Sequence, residues 1–144
     1  MAHDECMEKY GKRSDLKGRY CVIHEIDGAS PTGVHGRIVY RHREDFAAPM
    51  KSRYQFAPYL LEALMHLARF HQMIKDENEE KSTIHYRIGE VLFFGEPRDG
   101  ETVTVEGRLK KRDQEGITFE ARAVDTQGRT LMYARDLLFR WFSE

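Results

Sequence analysis

The hydrophobic pattern changes period once, near residue 80, and this limits the chain to a few folds. From Pro58 to Met73 or Ile74, the residues Leu60, Leu61, Leu64, Leu67, Ala68 and His71 recur at helical spacing. Pro58 suits the first turn, where a missing amide hydrogen costs nothing. Glu62, His66 and Arg69 form a separate polar stripe on the same helix. After the acidic run Asp76 to Glu80 the period becomes two. Ile84, Tyr86 and Ile88 alternate with His85, Arg87 and Gly89. Val103, Val105, Gly107 and Leu109 form a second alternating set, and Ile117, Phe119, Ala121 and Ala123 a third. Leu131, Tyr133, Leu137, Phe139 and Trp141 share one parity of a last strand. Alternation of this kind belongs to antiparallel sheets with one covered face and one wet face. Arg98-Asp99-Gly100, Gln114-Glu115-Gly116 and Asp125-Thr126-Gln127-Gly128 supply the hairpin turns. Gly128 is expected at positive φ, and Gly107 is expected to serve the backbone.

Ahead of the helix, Tyr20 to Ile26 reads as a strand, Asp27 to Gly33 as a turn-rich loop, Val34 to Tyr40 as a second strand and Phe46 to Ala57 as a loop. The order is β-β-α-β-β-β-β. It implies an α+β domain over 19–144 in which the sheet curls around one long helix. Residues 1–18 are a polar lead-in, frayed or forming a short helix. One helix leaves a sheet edge open, so edge pairing into a homodimer is expected. With 40% hydrophobic and 33% charged residues the chain reads as soluble and globular. A formal net charge of -1 gives no reason to expect nucleic acid or an anionic membrane as partner. No run approaches the roughly 20 apolar residues of a membrane helix, and Met1 to Lys17 lacks the apolar core of a signal peptide. Cys6 and Cys21 read as reduced thiols of a cytoplasmic protein, without the spacing of a metal site.

Pro58-Tyr59-Leu60-Leu61-Glu62-Ala63-Leu64-Met65-His66 resembles the helix motif of hotdog-fold dehydratases. In polyketide synthase dehydratase domains the pattern is Pro, any residue, Leu, Leu, Asp, three residues, then Gln or His. In beta-hydroxyacyl-ACP dehydratases the acid is often Glu. Ile84 to Val91 and Asp125 to Arg129 resemble later segments of the polyketide enzymes, and the likeness runs from about Tyr20 to Phe142. It implies a hotdog fold and a dehydratase-like activity on 3-hydroxyacyl thioesters, carried on acyl carrier protein or coenzyme A, in polyketide or fatty acid metabolism. It implies no cofactor and no metal. Those enzymes pair the helix acid with a histidine from elsewhere. The position where the fatty acid enzymes carry it falls near Ala48 here, the polyketide enzymes place it in a separate preceding hotdog, and the residue before Pro58 is Ala57 where the polyketide motif commonly has His.

Dehydration needs a base at C2 and an acid at C3. The resemblance makes Glu62 the acid, in an apolar tunnel that raises its pKa, with the amide end of the helix polarising the thioester carbonyl. The residues themselves equally allow a surface Glu62 paired with His66. His66 either orients Glu62 or lines the tunnel. His24, His35, His42 and His85 are the candidate catalytic histidines. His35 stands out because Gly33 and Gly36 flank it and would admit a substrate; its alternative is a strand-end residue with no chemistry. His71 reads as a packing residue. Tyr54, Phe56, Pro58 and Tyr59 are candidate substrate contacts at the tunnel mouth. Two other activities fit the pattern: a hotdog thioesterase, which needs a carboxylate and water but no paired histidine, and a non-catalytic hotdog that binds acyl chains or a synthase.

Overall fold

The computed structural model describes residues 1–13, 21–41, 57–75 and 82–142. Two helices, α1 (His3–Arg13) and α2 (Pro58–Lys75), accompany six strands. The strands are β1 (Glu25–Ala29), β2 (Gly33–Val39), β3 (Ser82–Phe93), β4 (Thr102–Arg112), β5 (Gly116–Val124) and β6 (Thr130–Phe142). They form one antiparallel sheet in the order β1-β2-β4-β5-β6-β3. α2, 18 residues and so about 27 Å long, packs on β4, β5, β2 and β6. This is the hotdog arrangement, a helix held by the sheet that wraps it.

Alternation explains the packing. Val34, Ile38, Val103, Val105, Ile117, Phe119, Ala121 and Ala123 are buried and meet Leu60, Ala63, Leu64, Leu67 and Ala68 of α2 in one core. Burying a side chain of this size contributes roughly 1.5–3 kcal/mol, and the shared core makes helix and sheet stable only together. The opposite face is wet and carries ion pairs such as Arg122–Glu106 at 2.7 Å and Arg108–Glu120 at 2.6 Å, of a kind that adds little stability.

Four expectations change. First, the opening strand lies at Glu25–Ala29, later than Tyr20–Ile26, and Asp27 and Gly28 are strand residues. A bulge between Ile26 and Gly28 admits them, Arg37 on β2 binds Asp27 at 3.0 Å, and the turn shrinks to Ser30–Thr32, closed by the Gly33 amide on Ser30 Oγ at 3.0 Å. Second, the described part of the polar lead-in, residues 1–13, packs on the core. Cys6 and Tyr10, four residues apart on one face of α1, belong to the core, and the Met1 ammonium donates to Ile26 O at 2.8 Å.

Third, the last strand does not keep one parity. Met132 and Ala134 face the core, and so do Leu137 and Phe139. The switch comes from a bulge: Phe119 pairs with Leu137 but Ala121 with Ala134, and Asp136 has φ 51°. One inserted residue reverses every following side chain. Fourth, β3 has no covered face over Ile84–Glu90 within the single chain. The loop expected over Phe46–Ala57 lies outside the described residues up to 56, and no helix among those described is long and apolar enough to cross a membrane.

Gly128 carries the backbone constraint expected of it, whereas the constraint at Gly107 is side-chain packing. Gly128 has φ +81°, and a Cβ on Gly107 would stand 2.3 Å from the Phe119 ring. Gly128→Val should cost about 1–2 kcal/mol through the left-handed backbone, and Gly107→Val about 1–3 kcal/mol through overpacking. Thermal unfolding checks both; unchanged melting temperatures would place the turn and the Phe119 ring elsewhere.

Candidate functional site

His66 lies in the buried face of α2, with 6% of its surface exposed. A buried imidazole needs a partner for each nitrogen. Nδ1 is 2.8 Å from the Tyr10 hydroxyl of α1, and Nε2 is 3.2 Å from Oε2 of Glu62, one turn earlier. The Tyr10 oxygen also accepts the Ile23 amide at 2.9 Å. With His66 neutral and its Nε2 proton directed at the Glu62 carboxylate, the contacts form one chain. Ile23 N–H donates to Tyr10, Tyr10 O–H to His66 Nδ1, and His66 Nε2–H to Glu62. Burial pushes the Tyr10 pKa up, which keeps the phenol protonated and able to donate.

Glu62 stands at the outer end of this chain, its side chain 48% exposed. Its carboxyl is held below the ordinary carboxylate range. The hydrogen bond from His66 is the main cause; burial opposes it, and attraction to His66 and His85 adds to it. The raised value expected of a tunnel acid is therefore not found, because a donor aimed at the carboxylate outweighs desolvation. Glu62 pairs with His66 as the surface reading required, but His66 is buried and not an exposed partner.

His85 completes the group. It pairs with Phe139 across β3 and β6, and the two rings meet edge to face at 4.6 Å. Partners across a ladder share a face, so His85 lies on the face of the buried Phe139, although strict alternation put it on the wet side. Burial lowers its pKa; the Glu62 charge pulls the other way, and Arg69 and His66 add to the lowering. Glu62 and His85 are thus close enough to couple electrostatically, while burial favours the neutral form of the imidazole.

The other candidates lie elsewhere. His35 points from the wet face of β2, with Nδ1 4.0 Å from Asp27, and β2 is separated from β3 by β4, β5 and β6. The structure does not bring it to Glu62. The flanking glycines have another reason: Gly36 sits where a Cβ would strike Glu25 O at 2.3 Å. His24 stacks on His3 with centroids 4.2 Å apart, and His42, Tyr54 and Phe56 lie outside the described residues. Pro58 opens α2, while Tyr59 is buried edge to face against Tyr40 at 5.8 Å. At that helix end Leu60 and Leu61 turn their amides to Ala57 O. His71 packs as expected and donates from Nε2 to Ser30 O at 2.8 Å. Tyr10 was not anticipated; its one signal was the Cys6–Tyr10 spacing within a polar stretch. Among the described residues, no group of three or more His, Cys, Asp or Glu is placed to hold a metal ion.

No curated protein sequence matches the chain. Among solved structures, the CurJ dehydratase in complex with compound 21 has a TM-score of 0.73 at 12% identity, over 99% of this chain and 49% of its own. Zebra fish thioesterase superfamily member 2 has a TM-score of 0.66 at 9% identity, over 98% of both chains. A hypothetical thioesterase from Streptococcus pneumoniae TIGR4, solved with coenzyme A, has a TM-score of 0.60 at 10% identity, over 83% of this chain and 86% of that one. This chain thus spans about half the length of the dehydratase and nearly the whole of the thioesterases, and at these identities the likeness is one of fold. The family model of the polyketide synthase dehydratase N-terminal domain matches residues 8–144, which include Tyr10 as well as Glu62 and His66, and the chain belongs to that family.

Proposed function

We propose that the chain is a dehydratase-like enzyme of acyl thioesters carried on a pantetheine arm, with Glu62 and His85 as its acid–base pair. The observation that supports this reading is the 3.2 Å contact of the buried His66 Nε2 with Glu62, joined by the electrostatic interaction of Glu62 with His85, whose pKa burial lowers. His85 takes the C2 proton of a 3-hydroxyacyl thioester. The C2–H electron pair forms the C2–C3 double bond as the C3–O bond breaks. The same proton passes from His85 to the departing hydroxyl, which leaves as water, so the enzyme ends as it began. Glu62 stabilises the transient imidazolium, and His66 fixes the Glu62 carboxylate.

One observation favours hydrolysis as a second reading. An ionised Glu62 can take a proton from water while the hydroxide attacks the thioester carbonyl, the proton then leaving with the thiolate. Glu62→Gln keeps size and hydrogen bonding but removes proton transfer, and it should cost about 10²–10⁴-fold in rate, as should His85→Gln. The assay offers an enoyl thioester for hydration and a saturated acyl thioester for hydrolysis. Loss of hydration in both variants supports the dehydratase. Loss of hydrolysis in Glu62→Gln alone supports the thioesterase. A wild type that turns over neither substrate yet binds acyl carrier protein leaves the non-catalytic reading, and full activity in Glu62→Gln removes Glu62 from the site.

The working unit in this reading is a homodimer. β3 ends the sheet order, and Ile84 and Tyr86 are 52% and 53% exposed, so a second copy pairing there would extend the sheet and cover the His85 side. Sedimentation at micromolar concentration should give twice the 16.9 kDa chain mass; a species of single-chain mass would overturn the dimer.

Glu62 also bears on stability. Its folded pKa lies below the ordinary 4.5, so its contribution is complete above the unfolded value and is lost as pH falls through the folded one. Melting temperature against pH should therefore fall less steeply on the acid side in Glu62→Gln than in the wild type. Parallel curves would mean that the His66 hydrogen bond does not form in solution.

A further inference from the structure

We propose that Tyr10 is a positioning residue that keeps the His66 proton on Nε2, so that the imidazole always offers a donor to Glu62. The inference rests on the reading of Glu62 as the working carboxylate and adds α1 to the machinery behind it. A neutral imidazole has two tautomers, and the one it adopts is set by the bond its other nitrogen makes. Here that bond is 2.8 Å from Nδ1 to the Tyr10 hydroxyl. The Tyr10 oxygen accepts the Ile23 amide at 2.9 Å, which directs the phenol proton to the ring nitrogen. The phenol is itself fixed: Tyr10 is 3% exposed, and its ring meets Phe70 of α2 edge to face at 4.9 Å. With the opposite tautomer, a lone pair on Nε2 would face the Glu62 carboxylate at 3.2 Å, an arrangement with no proton between two acceptors. Other titratable or charged groups around this chain are Cys6 on α1, Cys21, Tyr59 and Arg69 on α2, and His85 on β3.

The test compares the full-length wild type with Tyr10→Phe. Long-range proton–nitrogen NMR of the imidazoles, at mildly alkaline pH where they are neutral, reads the tautomer without any substrate. His66→Gln assigns the signal. The wild type should show His66 wholly as the Nε2–H form, and Tyr10→Phe should show a mixture or the Nδ1–H form. Where the wild type is active, Tyr10→Phe should lower kcat by about 10-fold or more with KM little changed, as when a histidine loses the group that sets its tautomer. If Tyr10→Phe does not fold, fluorotyrosine placed at position 10 keeps the hydroxyl but strengthens it as a donor, and the His66 Nδ1 shift must then move. A wild-type Nδ1–H form, an unchanged tautomer in Tyr10→Phe or an unmoved shift with fluorotyrosine overturns the proposal. The expected NMR result in a protein inactive on both thioesters upholds Tyr10 as the tautomer-setting group and overturns the enzymatic reading instead.

Discussion

A histidine buried in the face of a helix has two nitrogens to satisfy, and the surroundings of His66 follow from that need. The sheet lines α2 with a largely apolar core, and the partners recorded for both imidazole nitrogens come from helices. One partner comes from the same helix, Glu62 one turn earlier, where helical geometry brings i and i+4 together. The other comes from outside the sheet, through α1. A buried donor or acceptor left without a partner costs about 1–3 kcal/mol, so α1 cannot be a loose extension. It closes the core with Cys6 and Tyr10 and, in the same contact, completes the polar chain that ends at Glu62.

The main architecture was legible because it depends on period. The change from helical to alternating spacing near residue 80 placed α2 and four strands, and the turn residues set the hairpins. The parts that period cannot describe were not legible. Asp27-Gly28 looks like a turn, but Gly28 pairs with His35 beyond a bulge and the Arg37 side chain binds Asp27, so the strand runs through both. Leu131 and Tyr133 share a parity with Phe139, but one inserted residue at Asp136 breaks the count. A rule built on strict alternation fails at every bulge, and one bulge in this sheet falls directly after His85.

The site was half legible for the same reason. Glu62 and His66 are four apart on one helix, a relation any sequence displays. Their partners Tyr10 and His85 lie 56 residues before His66 and 19 residues after it. Tyr10 was hidden by the charged residues around it in α1. His85 was hidden because apolar Ile84 and Tyr86 were read as the covered parity, whereas both are exposed and it is His85 that pairs with the buried Phe139. The glycines around His35 suggested access for a substrate; they answer instead to the close packing of β1 on β2, where Gly36 leaves room for the Glu25 carbonyl.

The charge states of the two outer groups limit the chemistry they can perform. Glu62 has a lowered pKa because a donor is aimed at it, and His85 has a lowered pKa because it is partly desolvated. Near neutral pH the pair therefore has two acceptors and no acidic proton of its own. A dehydratase that used separate acid and base groups would need one of them protonated beforehand. In the proposed reaction this pair acts as a shuttle, returning to the hydroxyl the proton it took from C2. A single imidazole can do that without turning over only if the C2 hydrogen and the C3 hydroxyl lie on the same face of the acyl chain. In the proposed reaction the hydrogen bond from His66, by keeping Glu62 ionised, favours a same-face elimination over an opposite-face one, and the role proposed for the Tyr10 hydroxyl is to keep this bond pointing toward the carboxylate.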